Sequence, residues 1–366
     1  MTLTTYFAVS AILCVNSSDS PPARTQPTTY TIPVIDLSKE TWRQVIVESI
    51  PGQYLGHPTT VLLRDNRTIL VTYPLGHGGP SAVLKKSTDG GLTWSDRLPV
   101  PDNWKTATNC PCIHRLTDPE GIERLFVFEG NGAMRQSVSL DNGGTWTPFE
   151  PNGLHCVVAP ITIVSIYGGR HLAMYHQRES IWQSISHDGG LTWEPERKIA
   201  EFPNAYPCEP AVIRSPDGKQ LAAVMRENTR NYNSMLIISD DEGNTWSKPV
   251  ELPASLTGDR HMPKYAHDGR LVIPFRDMAE GSPTKGDFVA WVGTYDDIVN
   301  LQEGQYRVRL LDSPVKRDLG YPGLELLPDG TFVATTYAVL KEGEKHSVVS
   351  VRFKLEEVDE KASRLP

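Results

Sequence analysis

One eight-residue pattern, S-x-D-x-G-x-T-W, occurs four times in the chain and constrains its fold more than any other feature. The copies are Ser87–Trp94, Ser139–Trp146, Ser186–Trp193 and Ser239–Trp246, and their serines lie 52, 47 and 53 residues apart. In each copy the Asp can bond to backbone amides of a turn, Gly permits a left-handed backbone, and Trp can pack its ring beneath the turn. The pattern therefore predicts a structural turn between two strands, with no catalytic or metal-binding role for its aspartates.

The regular spacing of the copies predicts a β-propeller, because a period near 50 residues is typical of one four-stranded blade. Each period has the same order: a proline-marked opening, an apolar strand, a tight turn and a second apolar strand. The openings lie at His57, Pro160, Glu209, His261 and Tyr321, with a divergent copy from Cys112 to Glu129. These segments predict an all-β fold of six blades between about residues 57 and 355.

Two further segments complete the predicted ring. Gly293–Ile298 resembles a fifth, eroded copy of the turn pattern. Thr41–Ile50 is an early strand that we expect to pair with Val348–Phe353 in the last blade, because closing the ring removes exposed sheet edges. No linker interrupts the series, so we predict one propeller domain over residues 31–358 and a tail over 359–366. The 29 glycines and 29 prolines exclude a helical bundle.

The N-terminal 30 residues differ from the rest in composition. Tyr6–Val15 is an apolar run too short to span a bilayer, and it resembles the core of a secretory signal. The alternative is a buried first strand, since no Lys or Arg precedes Arg24. Residues 16–30, rich in Ser, Pro and Thr, predict a disordered linker. We therefore expect residues 1–30 to be a signal peptide and linker of a secreted or periplasmic protein without membrane insertion.

Charge and cysteine content exclude several classes of partner. The formal net charge of -8 gives no overall attraction to nucleic acid, so an anionic ligand needs local cations. Cys110, Cys112, Cys156 and Cys208 lack the spacing of a zinc or redox site and predict buried thiols with at most one disulfide. No phosphate-binding or metalloprotease motif occurs, so we predict no cofactor and no metal.

Blade alignment predicts a site without reference to any family. Equivalent positions in successive blades share one height around the central funnel. Four side chains open the first strands at this level: His57, Glu209, His261 and Tyr321. Seven more end the second strands there: Tyr73, Glu129, His176, Arg226, Arg276, Asp277 and Tyr337. Because such groups are costly to bury unpaired, they predict a polar ligand site; the alternative is a water-filled channel without chemistry.

The repeated turns on a six-bladed propeller resemble the sialidase (neuraminidase) superfamily of Asp-box proteins, over roughly residues 45–355. The resemblance implies an exo-glycoside hydrolase that releases a terminal acidic sugar, such as sialic acid, from a glycan. It implies that Glu209 and Arg226, in CEPAVI…AVMRE, are the carboxylate of the reacting pair and a substrate-carboxylate ligand. Tyr321, in LGYPGLELLPDG, would be the nucleophile. A carboxylate can accept the phenol proton, and arginine can bind the sugar's carboxylate through two parallel hydrogen bonds.

The sequence departs from the sialidase pattern in four places. No arginine occurs near His57 and no aspartate near Pro80, where the first arginine and the acid/base of the family would lie. Arg276 is the expected substitute for the third arginine, and Tyr337 replaces the glutamate that orients the first. His77, between glycines in YPLGHGGP, is the predicted proton donor, with His57 as the second candidate. Either histidine, as a cation, could also contact a substrate carboxylate, and each taken alone could simply be a hydrogen-bonded residue.

Three functions stay open at this point. The first is the sialidase-like hydrolase, with Tyr321, Glu209 and His77 as catalytic residues. The second is a glycosidase or polysaccharide lyase acting on another acidic sugar, and the third is a non-catalytic carbohydrate-binding propeller. All three predict a glycan partner and leave the oligomeric state and the stereochemical outcome open. The expected substrate-binding residues are Arg226, Arg276, His57, His261, Tyr337, Glu129 and His176.

Overall fold

Short apolar strands and tight turns divide the chain into six sheets arranged in a ring, in a computed structural model that describes residues 26–202 and 204–365. The predicted signal segment Tyr6–Val15 and linker residues 16–25 lie outside the described residues. Strand pairs along the chain are antiparallel, with one parallel exception described below. The predicted all-β, six-bladed propeller is confirmed.

Two strands, β1 (Val34–Asp36) and β2 (Gln44–Glu48), precede the first blade. The first three blades follow in chain order. Blade 1 has three strands: β3 (Thr59–Leu62), β4 (Ile69–Pro74) and β5 (Ala82–Ser87). Blade 2 has four: β6 (Cys112–Thr117), β7 (Glu123–Glu129), β8 (Gly132–Ser139) and β9 (Glu150–Cys156). Blade 3 has four: β10 (Ile163–Ile166), β11 (Arg170–Gln177), β12 (Ser180–Ser186) and β13 (Arg197–Glu201).

The last three blades complete the ring. Blade 4 contains β14 (Pro207–Arg214), β15 (Leu221–Glu227), β16 (Met235–Ser239) and β17 (Val250–Glu251). Blade 5 contains β18 (Gly258–Asp259), β19 (Lys264–Tyr265), β20 (Leu271–Asp277), β21 (Phe288–Gly293) and β22 (Tyr306–Leu311). Blade 6 contains β23 (Gly323–Leu326), β24 (Thr331–Ala338) and β25 (Ser347–Lys354). Apolar residues on facing sheets form the core; Leu172 and Met174 of blade 3, for example, pack with Ala223 and Met225 of blade 4.

The four repeated turns have the predicted structural role. In the first, the Ser87 hydroxyl donates to Asp89 Oδ1 at 2.8 Å, and Asp89 accepts the Thr93 amide at 2.9 Å and its hydroxyl at 2.6 Å. The same bonds recur at Asp141, Asp188 and Asp241. Although burial opposes ionisation, the hydrogen bonds from Thr93 and Ser87 outweigh it and lower the pKa of Asp89 to about 2. These aspartates are therefore committed to their own turns.

Helices are few and short in the described part of the chain. Three are 3₁₀ turns, at Thr41–Arg43, Asp102–Thr106 and Ala254–Leu256, and two are α-helices, α1 (Tyr295–Val299) and α2 (Leu355–Ala362). Helix α1 corrects the expectation of a fifth eroded turn. Thr294 accepts the Asp297 amide, and Asp297 accepts the Thr294 amide in return, which forms a capping box. The aspartate here starts a helix and does not bridge a hairpin.

The N-terminal part of the chain closes the ring in two places. As predicted, β2 pairs with β25, with Ile46 opposite Val349. In addition, β1 pairs in parallel with β22 on the outer edge of blade 5, which the sequence did not indicate.

The expected disorder is wrong for residues 26–30, because this segment is bonded to the propeller. The Pro27 carbonyl accepts from Asn233 at 3.2 Å, and the Tyr30 hydroxyl bonds to Ser282 at 2.9 Å. At the C-terminal end, the sequence predicted that the propeller ends at residue 358 and that a tail follows. Helix α2, Leu355–Ala362, extends across that limit.

Candidate active site

Tyr321, Glu209 and Arg226 meet at one end of the central funnel. The Tyr321 hydroxyl donates to Glu209 Oε1 at 2.8 Å, and Arg226 Nη1 lies 2.6 Å from the same hydroxyl and 3.3 Å from Glu209 Oε2. Both Tyr321 and Glu209 are buried. Tyr321 lies just before β23, whereas Glu209 lies within β14 and Arg226 near the end of β15. Blade 6 and blade 4 thus supply one contiguous hydrogen-bonded set.

The backbone of β14 explains how Glu209 faces the funnel. The pairing of β14 with β15 shifts register between Cys208 and Ala211, and Glu209 has φ +50 within this bulge. A left-handed backbone is unfavourable for a residue with a side chain, and bulges re-aim side chains away from the regular alternation of a strand. His57 and Arg260, which lie near the openings of blades 1 and 5, have φ +49 and φ +57. The three residues share one unusual backbone conformation.

The electrostatic surroundings keep Glu209 charged and Tyr321 neutral. Burial alone would raise the pKa of Glu209, but the charges of Arg226 and Arg260 outweigh it and hold that pKa below its ordinary value. Burial raises the pKa of Tyr321 well above 10, and the neighbouring Glu209 charge raises it further. The phenol is therefore protonated at neutral pH and has an ionised carboxylate in position to accept its proton.

Asp259 of β18 is the counter-ion of this region, and the sequence did not single it out. It is fully buried and lies 3.1 Å from Arg226 Nε, 2.6 Å from Arg230 Nη1 and 2.6 Å from Arg276 Nη2. Burial opposes its ionisation, but the guanidinium groups, Arg276 first, hold its pKa far below the ordinary value. The Arg276 guanidinium also lies 5.0 Å from the centre of the Tyr321 ring. We call this set the arginine cluster: Glu209, Arg226, Asp259, Arg276 and Tyr321.

Arg260 lies behind the arginine cluster and was also missed. It is completely buried, its guanidinium lies 5.2 Å from the centre of the Tyr321 ring, and its Nη2 donates to Cys112 Sγ at 3.1 Å. Its Nε and Nη1 have no hydrogen-bond partner among the residues that the structure describes. Aligning blade openings on prolines selected His261, whereas the left-handed backbone identifies Arg260 as the residue that matches His57 and Glu209. A shift of one residue turns the other side chain toward the funnel.

A second group of side chains lines the neighbouring part of the same funnel. The Tyr54 hydroxyl lies 2.9 Å from His77 Nδ1 and 2.9 Å from Asp318 Oδ1. His346 Nε2 lies 3.1 Å from Asp318 Oδ2. The His57 ring connects the two regions, because its centroid is 4.6 Å from that of His77 and 4.9 Å from that of Tyr321. We call this set the histidine cluster: Tyr54, His57, His77, Asp318 and His346.

Two histidines predicted at the site are buried and neutral. Burial, aided by His77 and the nearby Arg260 and Arg276, holds the pKa of His57 well below 6.5. Burial likewise lowers the pKa of His176 to about 4. His176 Nδ1 accepts the Glu209 amide at 3.3 Å and so supports the carboxylate from behind. The expected cationic contact from His57 to a carboxylate is therefore corrected: at neutral pH, His57 offers only a neutral ring.

The other predicted residues divide between the site and the scaffold. Tyr337 donates to Asp318 Oδ1 at 3.2 Å and so adjoins the histidine cluster. Glu129 instead accepts the Thr108 amide at 2.6 Å and pairs with Arg135, so it holds a loop of blade 2. His261 Nε2 bonds to the Leu256 carbonyl, and its ring packs on Phe275. The structure does not bring Glu129 or His261 into hydrogen-bond contact with either cluster.

No group of three or more His, Cys, Asp or Glu side chains that could hold a metal ion occurs among residues 26–202 and 204–365. Within the same ranges no helix is both long and apolar enough to cross a membrane. Cys110, Cys112, Cys156 and Cys208 are all buried free thiols.

Sequence comparison relates this chain to two curated sialidases. A model of the BNR repeat-like domain family matches residues 35–219 and 180–307. A sialidase of Micromonospora viridifaciens is 25% identical over 223 residues, which cover 57% of this chain and 30% of that protein. A sialidase of Clostridium perfringens is 24% identical over 249 residues, which cover 62% of this chain and 56% of that protein. The matched regions thus span less than two thirds of either relative.

Several solved structures have a fold similar to that of this chain. A protein of unknown function from Dyadobacter fermentans has a TM-score of 0.67 at 16% identity, covering 84% of this chain and 97% of its own. The NanB sialidase of Streptococcus pneumoniae, as a K499G mutant, has a TM-score of 0.60 at 13% identity, covering 86% and 71%. At such identities the likeness shows the fold alone.

Proposed function

Because the chain belongs to the BNR repeat-like domain family and has a sialidase-like propeller fold, we propose that it is an exo-glycoside hydrolase that releases a terminal acidic sugar from a glycan. The observation that carries the proposal is the Tyr321–Glu209–Arg226 set. A neutral phenol at 2.8 Å from an ionised carboxylate is arranged to lose its proton as it attacks. A purely binding site has no use for this buried pair.

In the proposed first step, protonated His77 gives its proton to the glycosidic oxygen, and the bond from that oxygen to the anomeric carbon breaks. The electron pair goes to the leaving oxygen. Tyr321 Oη bonds to the anomeric carbon while Glu209 takes the phenol proton. In the second step, water gives a proton to His77 and its oxygen bonds to the anomeric carbon. The bond to Tyr321 then breaks, and Glu209 returns the proton. Two displacements at one carbon retain configuration.

Recognition of the acidic group is assigned to local cations, because the chain as a whole is negatively charged. Arg226 retains 17% exposure of its side chain and Arg230 retains 33%, so both remain accessible from solvent. Arg276 directs its Nε and Nη2 to Asp259 and its Nη1 to the Arg317 carbonyl. In this proposal Arg226 is the principal ligand of the sugar's carboxylate, and Arg276 mainly supplies charge beside Tyr321.

The test of the proposal is the hydrolysis of sialyl and uronosyl glycosides by Tyr321→Phe and Glu209→Gln variants. Each variant is expected to lose activity by about 10³-fold or more. Tyr265→Phe is the matched control, because it removes a phenol that bonds to the Arg214 carbonyl, at the opposite end of β14 from Glu209. Activity that survives both site changes contradicts the proposed roles. Glycan binding without turnover by the unaltered protein would instead indicate a carbohydrate-binding propeller.

A second candidate is a glycosidase or lyase for another acidic sugar. The commitment of Arg276 to Asp259 favours it, together with the neutral His57 where the sialidase pattern has an arginine. A panel of acidic glycans, with NMR of the first-formed anomer, separates these possibilities. A lyase would release an unsaturated product that absorbs ultraviolet light, whereas a hydrolase would not.

Export is part of the proposal, as Tyr6–Val15 predicts. Expression of the full chain followed by N-terminal sequencing of the mature protein tests it. Recovery of an uncleaved chain from the cytoplasm would contradict export.

A further inference from the structure

Asp318 is an ionised carboxylate that the proposed reaction does not yet use. It lies in the segment between β22 and β23, and 34% of its side chain is exposed. Although partial burial opposes ionisation, the bonds from His346 and Tyr54 hold its pKa far below the ordinary value. Its Oδ1 atom also lies 3.7 Å from His77 Nδ1. The carboxylate thus stands directly behind the histidine assigned as proton donor.

The hydrogen bonds around Tyr54 determine which nitrogen of His77 carries a proton. Tyr54 lies 2.9 Å from both Asp318 Oδ1 and His77 Nδ1, but its hydroxyl has one hydrogen. An ionised carboxylate can only accept, so that hydrogen points at Asp318. The opposite arrangement would place a phenol lone pair against the anion at 2.9 Å. The Tyr54 oxygen must therefore accept from His77, and His77 must carry its hydrogen on Nδ1.

We propose that Asp318, acting through Tyr54, is a positioning residue that fixes His77 as the Nδ1–H tautomer. Nε2 is then the atom that gives and takes the proton during hydrolysis. This inference rests on the proposed function. Asp318 and Tyr54 do not themselves exchange the proton; they orient the ring and select the atom that does.

The first experiment compares kcat/KM on unactivated glycosides and on activated aryl glycosides for the full chain and for Asp318→Asn and Tyr54→Phe variants. In both variants, activity on unactivated glycosides should fall by about tenfold, while activated aryl glycosides change little. The control is Asp329→Asn, a turn aspartate of blade 6 that bonds to Thr331. Unchanged activity on unactivated glycosides in a folded Asp318→Asn protein overturns the inference.

The second experiment reads the tautomer directly and does not need activity. Nitrogen-15 NMR of labelled histidines, with His77 assigned from a His77→Gln variant, should show hydrogen on Nδ1 in the neutral ring. Tyr54→Phe should shift the population toward the Nε2–H form. Finding Nε2–H in the unaltered protein overturns the inference. If the unaltered protein hydrolyses no glycoside but its His77 carries hydrogen on Nδ1, the proposed function is refuted and the tautomer assignment still holds.

Discussion

The arginine cluster and the histidine cluster line one funnel, but they are built differently. The arginine cluster joins side chains of blades 4, 5 and 6 around Asp259, which is fully buried and pairs with Arg226 and Arg276. The histidine cluster gathers residues around blade 1, from the segment before β23 and from the loop between β24 and β25. Its His77 side chain is 66% exposed and its Asp318 side chain 34% exposed. The arginine cluster is thus a set of ion pairs around one fully buried carboxylate, and the histidine cluster is a more exposed set of rings around one partly exposed carboxylate.

This difference suggests a division of roles within the proposed reaction. Guanidinium groups keep their charge at any physiological pH, so the arginine cluster has constant electrostatics and suits binding and bond formation. Imidazole is the side chain suited to gaining and losing protons near neutrality. The histidine cluster is therefore the region where we expect pH to act. Four predictions test this contrast, from the largest expected effect to the smallest.

Neutralising the central carboxylate of each cluster should have unequal effects on stability. Asp259→Asn leaves buried guanidinium groups without their counter-ion, so we expect a loss of about 3–5 kcal/mol in the free energy of unfolding. Asp318→Asn, at a partly exposed position, should cost about 1 kcal/mol or less. Urea unfolding followed by tryptophan fluorescence measures both. Equal losses would contradict the structural contrast.

Removing the proposed proton donor should affect only substrates that need protonation. We expect His77→Gln to lower kcat/KM by about 10²-fold on unactivated glycosides, because general acid catalysis is lost. Activated aryl glycosides, whose leaving groups need no proton, should be spared. Because His77 is exposed, the free energy of unfolding of the protein should change by less than about 0.5 kcal/mol. Equal loss on both substrate classes would remove His77 from the acid role.

The buried histidines and the buried carboxylates should cause losses of stability in different pH windows. His57 is buried with a lowered pKa, as is His176 behind Glu209, whereas unfolded histidine titrates near pH 6.5. As pH falls below 6.5, the unfolded chain takes up protons that the folded chain does not. Stability should therefore fall by about 1–2 kcal/mol per buried imidazole by pH 5. The lowered pKa values of Glu209 and Asp259 add a loss only below about pH 4.5.

Denaturant unfolding curves recorded at several pH values between 7 and 3 measure the loss of stability in both pH windows. A His57→Gln variant should have a flatter curve between pH 6.5 and pH 5 than the unaltered protein. A flat curve for the unaltered protein down to pH 5 would contradict neutral buried histidines.

The smallest effect on activity is expected from the repeated turns, which serve as a baseline for both clusters. Asp89 belongs to blade 1, beside the histidine cluster, and Asp241 belongs to blade 4, which carries Glu209 and Arg226. Replacing either by Ala should cost about 1–2 kcal/mol, because several hydrogen bonds of one turn are lost. Neither change should alter the pH profile of activity. If only one of the two substitutions altered the pH profile of activity, the difference between the two regions would extend beyond the clusters to the blades that carry them.

Much of the fold could be predicted because its signals are local. A turn such as Ser87–Trp94 satisfies its own backbone within eight residues, so its sequence specifies it wherever it occurs. The spacing of four such turns gave the six blades, and edge closure gave the pairing of β2 with β25. The prediction of a fifth turn at Gly293–Ile298 was wrong because Thr294 and Asp297 form a different local structure there, the cap of a helix.

The candidate site was only partly predictable. The resemblance to sialidases selected Tyr321, Glu209 and Arg226, which the structure brings into hydrogen-bond contact. It gave no signal for Asp259 or Asp318, because an aspartate in a loop or short strand has no distinctive pattern. Alignment of the blade openings on their prolines selected His261. The local sequence does not indicate that Arg260 is the residue with the left-handed backbone.

The sequence by itself determined the ring of blades and the turns between strands, because these depend on contacts between near neighbours. The tertiary structure alone decided which further side chains meet around the candidate reacting pair. Tyr54 and Asp318 lie 264 residues apart, and Arg260 and Cys112 lie 148 residues apart. Such contacts depend on the register of each strand and on backbone conformations that turn a side chain inward or outward by a single position.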